Sequence, residues 1–161
     1  MLKKSLITAV LLIAGLLLFD KLNPLPDPLS SPSLVVTAQD GQVLRRFSNS
    51  DGILREQISL DQVSPFYLQS LLAYEDKWFY YHPGINPFSL VRAAWQWFRQ
   101  GQVISGGSTI TMQVARLLNP HQRTILGKAK QMLRALQLEY HLDKQQILTL
   151  YINLAPFGGN I

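Results

Sequence analysis

The chain has 161 residues, 15 Lys and Arg against 10 Asp and Glu for a formal charge of +5, and 47% apolar residues. That suits one modest domain and is too apolar for a disordered chain. There is no cysteine, and the three histidines, His82, His121 and His141, lack ligand spacing, which excludes a thiolate zinc site, a cysteine nucleophile and a disulfide scaffold.

Lys3-Lys4 precedes an apolar run from Leu6 to Phe19, closed by Asp20-Lys21. A cleaved signal peptide and an uncleaved anchor compete for it. Leu17-Leu18-Phe19-Asp20 offers no small-x-small cleavage site, so residues 1–22 are read as a transmembrane signal anchor with the body outside the cytoplasm. Residues 23–33 hold four prolines and three serines, an extended linker. Within 34–63, Leu34–Thr37 and Val43–Phe47 flank Asp40-Gly41, the pattern of a β-hairpin. About Ile53 to Ile58 is a further extended piece, placed beside that hairpin.

From Ser64 the periodicity turns helical, so the fold class is mainly α. Ser64-Pro65 opens a helix to about Lys77, and Asn86-Pro87 opens another that ends near Gly101. A third covers about Thr109 to Leu118. A fourth, about Ile125 to Tyr140, has Ala129, Met132, Leu133, Leu136 and Tyr140 as its expected apolar stripe. Asp143 to Gln146 reads as a capping box opening a fifth, with Ile147, Leu148, Tyr151 and Ile152 inward.

In the first helix Leu68, Leu71 and Leu72 define an inward face whose next members are Glu75 and Phe79. A carboxylate in a core position either serves as a general acid or base or turns outward to pair with a lysine. Asp76 points about 100° away, so one carboxylate can serve chemistry while the other holds a loop. Ser105 to Thr111 is a glycine-hydroxyl loop feeding a helix start. It reads as an anion site or as an ordinary capped helix, with Thr109, Gln113 and Arg116 along one polar face. Arg116, Arg123, Lys128, Arg134 and Lys144 make the helical half basic, a face for nucleic acid, anionic lipid, pyrophosphate or plain solvent; the anchor argues against nucleic acid. Trp78, Trp95, Trp97, Phe98, Tyr80 and Tyr81 read as interfacial aromatics or as core.

These pieces resemble a known family. Glu75 to Ile85 is similar to the E-D-x-x-F-x-x-H-x-G-I motif of peptidoglycan glycosyltransferases, glycosyltransferase family 51, the amino-terminal domain of class A penicillin-binding proteins. Gly106 to Gln113 resembles its second motif, Lys128 to Glu139 lies where the third belongs, and Lys144 to Asn153 resembles the fourth. Ala155 to Asn160 and the Asp-Gly hairpin look most like the 1C subgroup. The resemblance implies a lysozyme-like helical domain over 64–161 with a membrane-associated jaw, polymerising lipid II at the bacterial inner membrane. It implies Glu75 as general base and position 131 as the second catalytic position. Asp76, Gly107, Ser108, Thr109, Gln113, Arg116, Arg123 and Lys128 would then bind donor and steady the site. It implies no fixed cofactor, and leaves open a divalent cation, Mg or Mn. Lipid II, the growing glycan chain and other cell-wall synthesis proteins are the implied partners.

Three departures stand out. Gln131 occupies the place of the family's second glutamate, Met112 replaces a glutamine, and Asn86 replaces an aspartate. The chain stops at Ile161, before the fifth motif, and is read as a truncated frame or fragment with an incomplete domain. No S-x-x-K, S-D-N or K-T-G occurs, so no transpeptidase signature is present. The leading expectation is an inverting glycosyltransferase releasing undecaprenyl pyrophosphate. The alternatives are a non-catalytic remnant that binds lipid II or cell-wall proteins, and a lytic glycosidase, which needs neither anchor nor pyrophosphate site.

Overall fold

Prolines at first-turn positions and side-chain caps mark where the helices begin, because early helical N–H groups lack intrahelical partners. The computed structural model describes residues 14–26, 33–49, 52, 54, 57–101, 107–122 and 124–156. A hairpin, β1 (Leu34–Thr37) and β2 (Val43–Phe47), precedes α1 (Pro65–Glu75), α2 (Pro87–Gln100), α3 (Ile110–Leu118), α4 (Ile125–His141) and α5 (Lys144–Leu154). Pro65 and Pro87 open α1 and α2, and Asn86 Oδ1 accepts the Ser89 N–H at 3.2 Å. Thr109 caps α3 and Thr124 caps α4. Asp143 and Gln146 cap α5 reciprocally, at 2.8 and 2.9 Å.

The hairpin turns at Asp40-Gly41, where Gly41 has φ +84° and Asp40 Oδ1 accepts the Gln42 N–H at 3.0 Å. Its register slips between Val36 and Thr37, leaving Leu44 as a bulge. The expected neighbour at Ile53–Ile58 falls in part outside the described residues. The sheet among the described residues has two strands, and Ile53, Arg55 and Glu56 lie outside them. Ile58 instead satisfies its backbone on one side chain: its N–H donates to Asn153 Oδ1 at 2.9 Å and its carbonyl accepts from Asn153 Nδ2 at 2.8 Å.

The core centres on α3. Ile110, Met112 and Val114 are fully buried, with Ala135 and Leu138 of α4, Ile147 and Leu148 of α5, and Phe79 closing round them. Leu68, Leu71 and Leu72 of α1 pack against its margin. The α4 stripe is corrected in part: Met132 packs against the core as expected. Ala129 and Tyr140 are exposed, and the buried positions are Gly127, Gln131, Ala135, Gln137 and Leu138. Glycine is required at 127 because the preceding loop comes close: a Cβ there would lie 2.3 Å from the Gln122 carbonyl oxygen. Leu133 and Leu136, expected in the core, line a smaller apolar cavity with Leu16, Leu17 and Phe19.

Residues 14–22 are helical and lie along α4. Asp20 Oδ1 accepts from His141 Nε2 and Gln137 Nε2, both at 2.7 Å, and Arg134 Nη1 donates to the Asn23 carbonyl at 2.5 Å. Among the described residues no helix is long and apolar enough to cross a membrane. Residues 1–13 of the expected anchor lie outside the described residues, as do linker residues 27–32.

Candidate active site

The α1 helix ends at two adjacent carboxylates, Glu75 and Asp76. Asp76 leaves helical geometry (φ −159°) after donating its N–H to the Leu72 carbonyl, which sets Glu75 in the last turn. Glu75 is half-buried, and its Oε2 accepts from Gln113 Nε2 of α3 at 2.8 Å. The Tyr151 hydroxyl of α5 donates to Gln113 Oε1 at 3.4 Å. Burial, then the Glu75 charge and Tyr67, push the Tyr151 phenol up to about 12, so it stays a protonated donor across the physiological range.

Asp76 sits behind Glu75 and is buried. His82 Nε2 lies 3.0 and 3.1 Å from its two oxygens, and Oδ2 also accepts the Ile110 N–H at 3.0 Å. That N–H belongs to the first turn of α3, where the helix dipole favours a carboxylate. Thr109 accepts the Met112 N–H and donates to the Gly84 carbonyl at 2.6 Å. Lys144 Nζ reaches the His82 carbonyl and Glu139 Oε1, both at 2.7 Å, and Thr111 donates to the same Glu139 oxygen at 2.6 Å. The segment from Asp76 to Gly84 is therefore tied to the start of α3 and to α5 by polar contacts of low exposure, and Lys144 links it on to Glu139 of α4. Such contacts are costly to leave unmade.

On the other side of the α3 start, Gly107 runs under α2; a Cβ there would lie 3.1 Å from Ala93 Cβ and 3.3 Å from the Ser89 carbonyl oxygen. Ser108 Oγ accepts from Lys128 Nζ at 2.5 Å. Burial lowers the Lys128 pKa, and the neighbouring Arg116 charge lowers it further. Among the described residues neither Lys128 nor Arg116 forms an ion pair with a carboxylate, so positive charge accumulates there uncompensated.

The expected residues thus fall into layers. Glu75 with Gln113, and Ser108 with Lys128 and Arg116, form two adjacent groups, because Gln113 and Arg116 are three apart on α3 and share a side. Asp76 and Thr109 stand behind as braces, and Gly107 is packed against α2. Gln131 is turned inward, 5% exposed, donating to the Met112 carbonyl at 2.6 Å. Arg123 and Gly106 lie outside the described residues. For a divalent cation the donor set does not fit: the described residues hold no group of three His, Asp or Glu able to bind one, Asp76 is engaged by His82 and Ile110, and Gln131 faces α3. The sequence reading missed two contributors. Tyr151 was assigned to the apolar side of its helix, and the Thr111–Glu139–Lys144 brace carried only the five-residue spacing of an acid and a base as a signal.

A family described as Transglycosylase matches residues 40–161. Penicillin-binding protein 1C of Escherichia coli strain K12 is 60% identical over 142 residues, 88% of this chain and 18% of that protein. Penicillin-binding protein 1A of Aquifex aeolicus is 34% identical over 158 residues, 93% of this chain and 22% of that one. Penicillin-binding protein 1F of Bacillus subtilis is 35% identical over 108 residues, 66% of this chain and 15% of that one. The chain spans about a fifth of the length of the first two of these relatives.

Proposed function

The chain belongs to the transglycosylase family shared with the penicillin-binding proteins, and from that membership we propose that it carries peptidoglycan glycosyltransferase activity, extending a glycan chain from lipid II. The observation that carries the reading is a carboxylate held by one oxygen beside two cations without carboxylate partners among the described residues. The 4-hydroxyl oxygen of the acceptor sugar attacks C1 of the donor sugar from the face opposite its leaving group. Glu75 takes the hydroxyl proton on the oxygen that Gln113 does not engage. The C1–O bond breaks, and its electron pair leaves with undecaprenyl pyrophosphate, whose charge is met by Lys128, Arg116 and the Ser108 hydroxyl. Arg123 joins that binding set through its motif position. Asp76 and Thr109 hold the frame. Gln131 is assigned to the α3–α4 contact rather than to the reacting atoms, because its amide is committed to the Met112 carbonyl.

The test is lipid II polymerisation by the purified protein, with Lys128→Met as the informative variant. Loss of the ammonium should weaken donor binding at least about tenfold, the scale of a charged hydrogen bond. Stability should move the other way. The lowered Lys128 pKa means that the folded state binds fewer protons than the unfolded between that lowered value and 10.5, so wild-type stability rises with pH across this window. Lys128→Met removes the charged-state penalty, so Tm should rise at pH 7 and the gain should shrink as pH climbs through the window. An unchanged donor affinity would remove Lys128 from the site.

Association with the bacterial inner membrane is part of the same proposal. Phe88, Val91, Trp95 and Phe98 follow i, i+3, i+7, i+10 spacing on α2 and are all exposed, between 60% and 86%, with Arg92 and Arg99 on the same helix. A basic helix with a bare aromatic stripe suits the lipid interface. Phe88→Glu with Phe98→Glu should cut co-sedimentation with anionic phosphatidylglycerol vesicles at least about tenfold; undiminished binding would exclude α2 as the contact.

A further inference from the structure

We infer that Tyr151 is a positioning residue for the general base, its hydroxyl fixing the stance of the Glu75 carboxylate through the Gln113 carboxamide. The inference rests on the glycosyltransferase reading. Three helices meet in this chain of contacts: Tyr151 on α5, Gln113 on α3 and Glu75 on α1. A carboxamide has a donating end and an accepting end, and only the donating end suits a carboxylate. A donor at the opposite end decides which way the group points, and the Tyr151 hydroxyl is that donor, 3.4 Å from Gln113 Oε1. Its polarity does not reverse with pH, since burial and the Glu75 charge keep the phenol protonated up to about 12.

The anchor point is also rigid. Tyr151 is only 5% exposed, and its ring belongs to the same core cluster as Ile147, Leu148 and Ile152. Core packing thus sets the ring, the ring sets the hydroxyl, the hydroxyl sets the amide, and the amide sets one carboxylate oxygen. Catalytic geometry that depends on a proton acceptor is sensitive to displacements well under a bond length of slack in such a chain. The bond of Tyr151 to Gln113 is separate from that of Lys128 to Ser108, so removal of the hydroxyl should spare donor binding.

The experiment is Tyr151→Phe in the full chain, which keeps the ring and removes only the hydroxyl. With lipid II as substrate, kcat should fall about tenfold while KM stays within about twofold. Adding Tyr151→Phe to Gln113→Ala should cost little further, because the route from the hydroxyl to Glu75 runs through that amide. In the folded variant, the Gln113 Nε2 proton that donates to Glu75 should shift in the NMR spectrum and exchange faster with solvent. A wild-type kcat, an unchanged Gln113 amide signal, or independent multiplicative losses in the double variant would each overturn the inference. Glu75→Gln is run alongside. If Glu75→Gln turns over normally, the base assignment fails and takes the inference with it; if it is inactive and Tyr151→Phe is wild type, the inference alone fails.

Discussion

Glu75→Gln should lower the rate of lipid II polymerisation by about 10²–10⁴-fold while donor affinity stays within about twofold, the range of a lost general base. The substitution suits the question because it keeps shape and contact. A glutamine at that place can still accept the Gln113 Nε2 hydrogen bond, now 2.8 Å long, through its own carbonyl oxygen. What it cannot do is take the proton of an attacking hydroxyl. The cation group of Ser108, Lys128 and Arg116 lies on the other side of the α3 start and is untouched by the change. A loss confined to turnover therefore isolates proton acceptance from binding. Retention of more than about a tenth of the wild-type rate would be too much for this role and would remove Glu75 from it.

Gly84→Ala should cost about 3–5 kcal/mol of stability, against a total of roughly 5–15 kcal/mol for a domain of this kind. Two penalties coincide at this residue. Its φ of +79° is unfavourable for a residue with a Cβ. A Cβ there would also lie 2.8 Å from Glu139 Cγ and 2.9 Å from the Ala135 carbonyl oxygen. Neither neighbour can give way cheaply. Ala135 is helix backbone, and Glu139 is held by both Thr111 and Lys144. The loop must lift from α4 instead, which strains the Thr109 bond to the Gly84 carbonyl and the Lys144 bond to the His82 carbonyl. Gly41 supplies the control: its φ is +84°, yet a methyl group added there would meet nothing within 4 Å. Gly41→Ala should therefore cost only the backbone term, about 1 kcal/mol. Urea unfolding of both variants separates the terms. Equal costs would show that close approach to α4 contributes nothing.

Much of this protein was legible along the chain. Pro65, Pro87, Thr109 and the Asp143–Gln146 pair placed four helix starts, and Asp40-Gly41 placed the hairpin turn. The inward set of α5 (Ile147, Leu148, Tyr151, Ile152) was also correct. The motif spacing singled out Glu75, Gln113, Ser108 and Lys128, which the folded chain gathers in two touching pairs. Caps, turns and helical periodicity act over about four residues, so they are written in local sequence.

Tertiary structure decided the rest. The α4 helix carries apolar residues on more than one side, and only its neighbours determine that Gln131 meets α3 and Gly127 the preceding loop, while Leu133 and Leu136 meet Leu16, Leu17 and Phe19. Asn153 closes on Ile58 across 95 residues, supplying both hydrogen bonds that a neighbouring strand was expected to make. That one carboxylate of the Glu75-Asp76 pair holds a loop could be read along the chain, but the partners of Asp76 and Thr109 (His82, Ile110 and Gly84) are set by packing. Gln131 faces the core, and Tyr151 turns a polar atom of a core ring toward the site. A hydroxyl or carboxamide has no periodic signature, and its partner lies on whichever helix packing delivers. The need of each buried polar group for a partner was evident from the sequence, but the identity of that partner was a property of the fold.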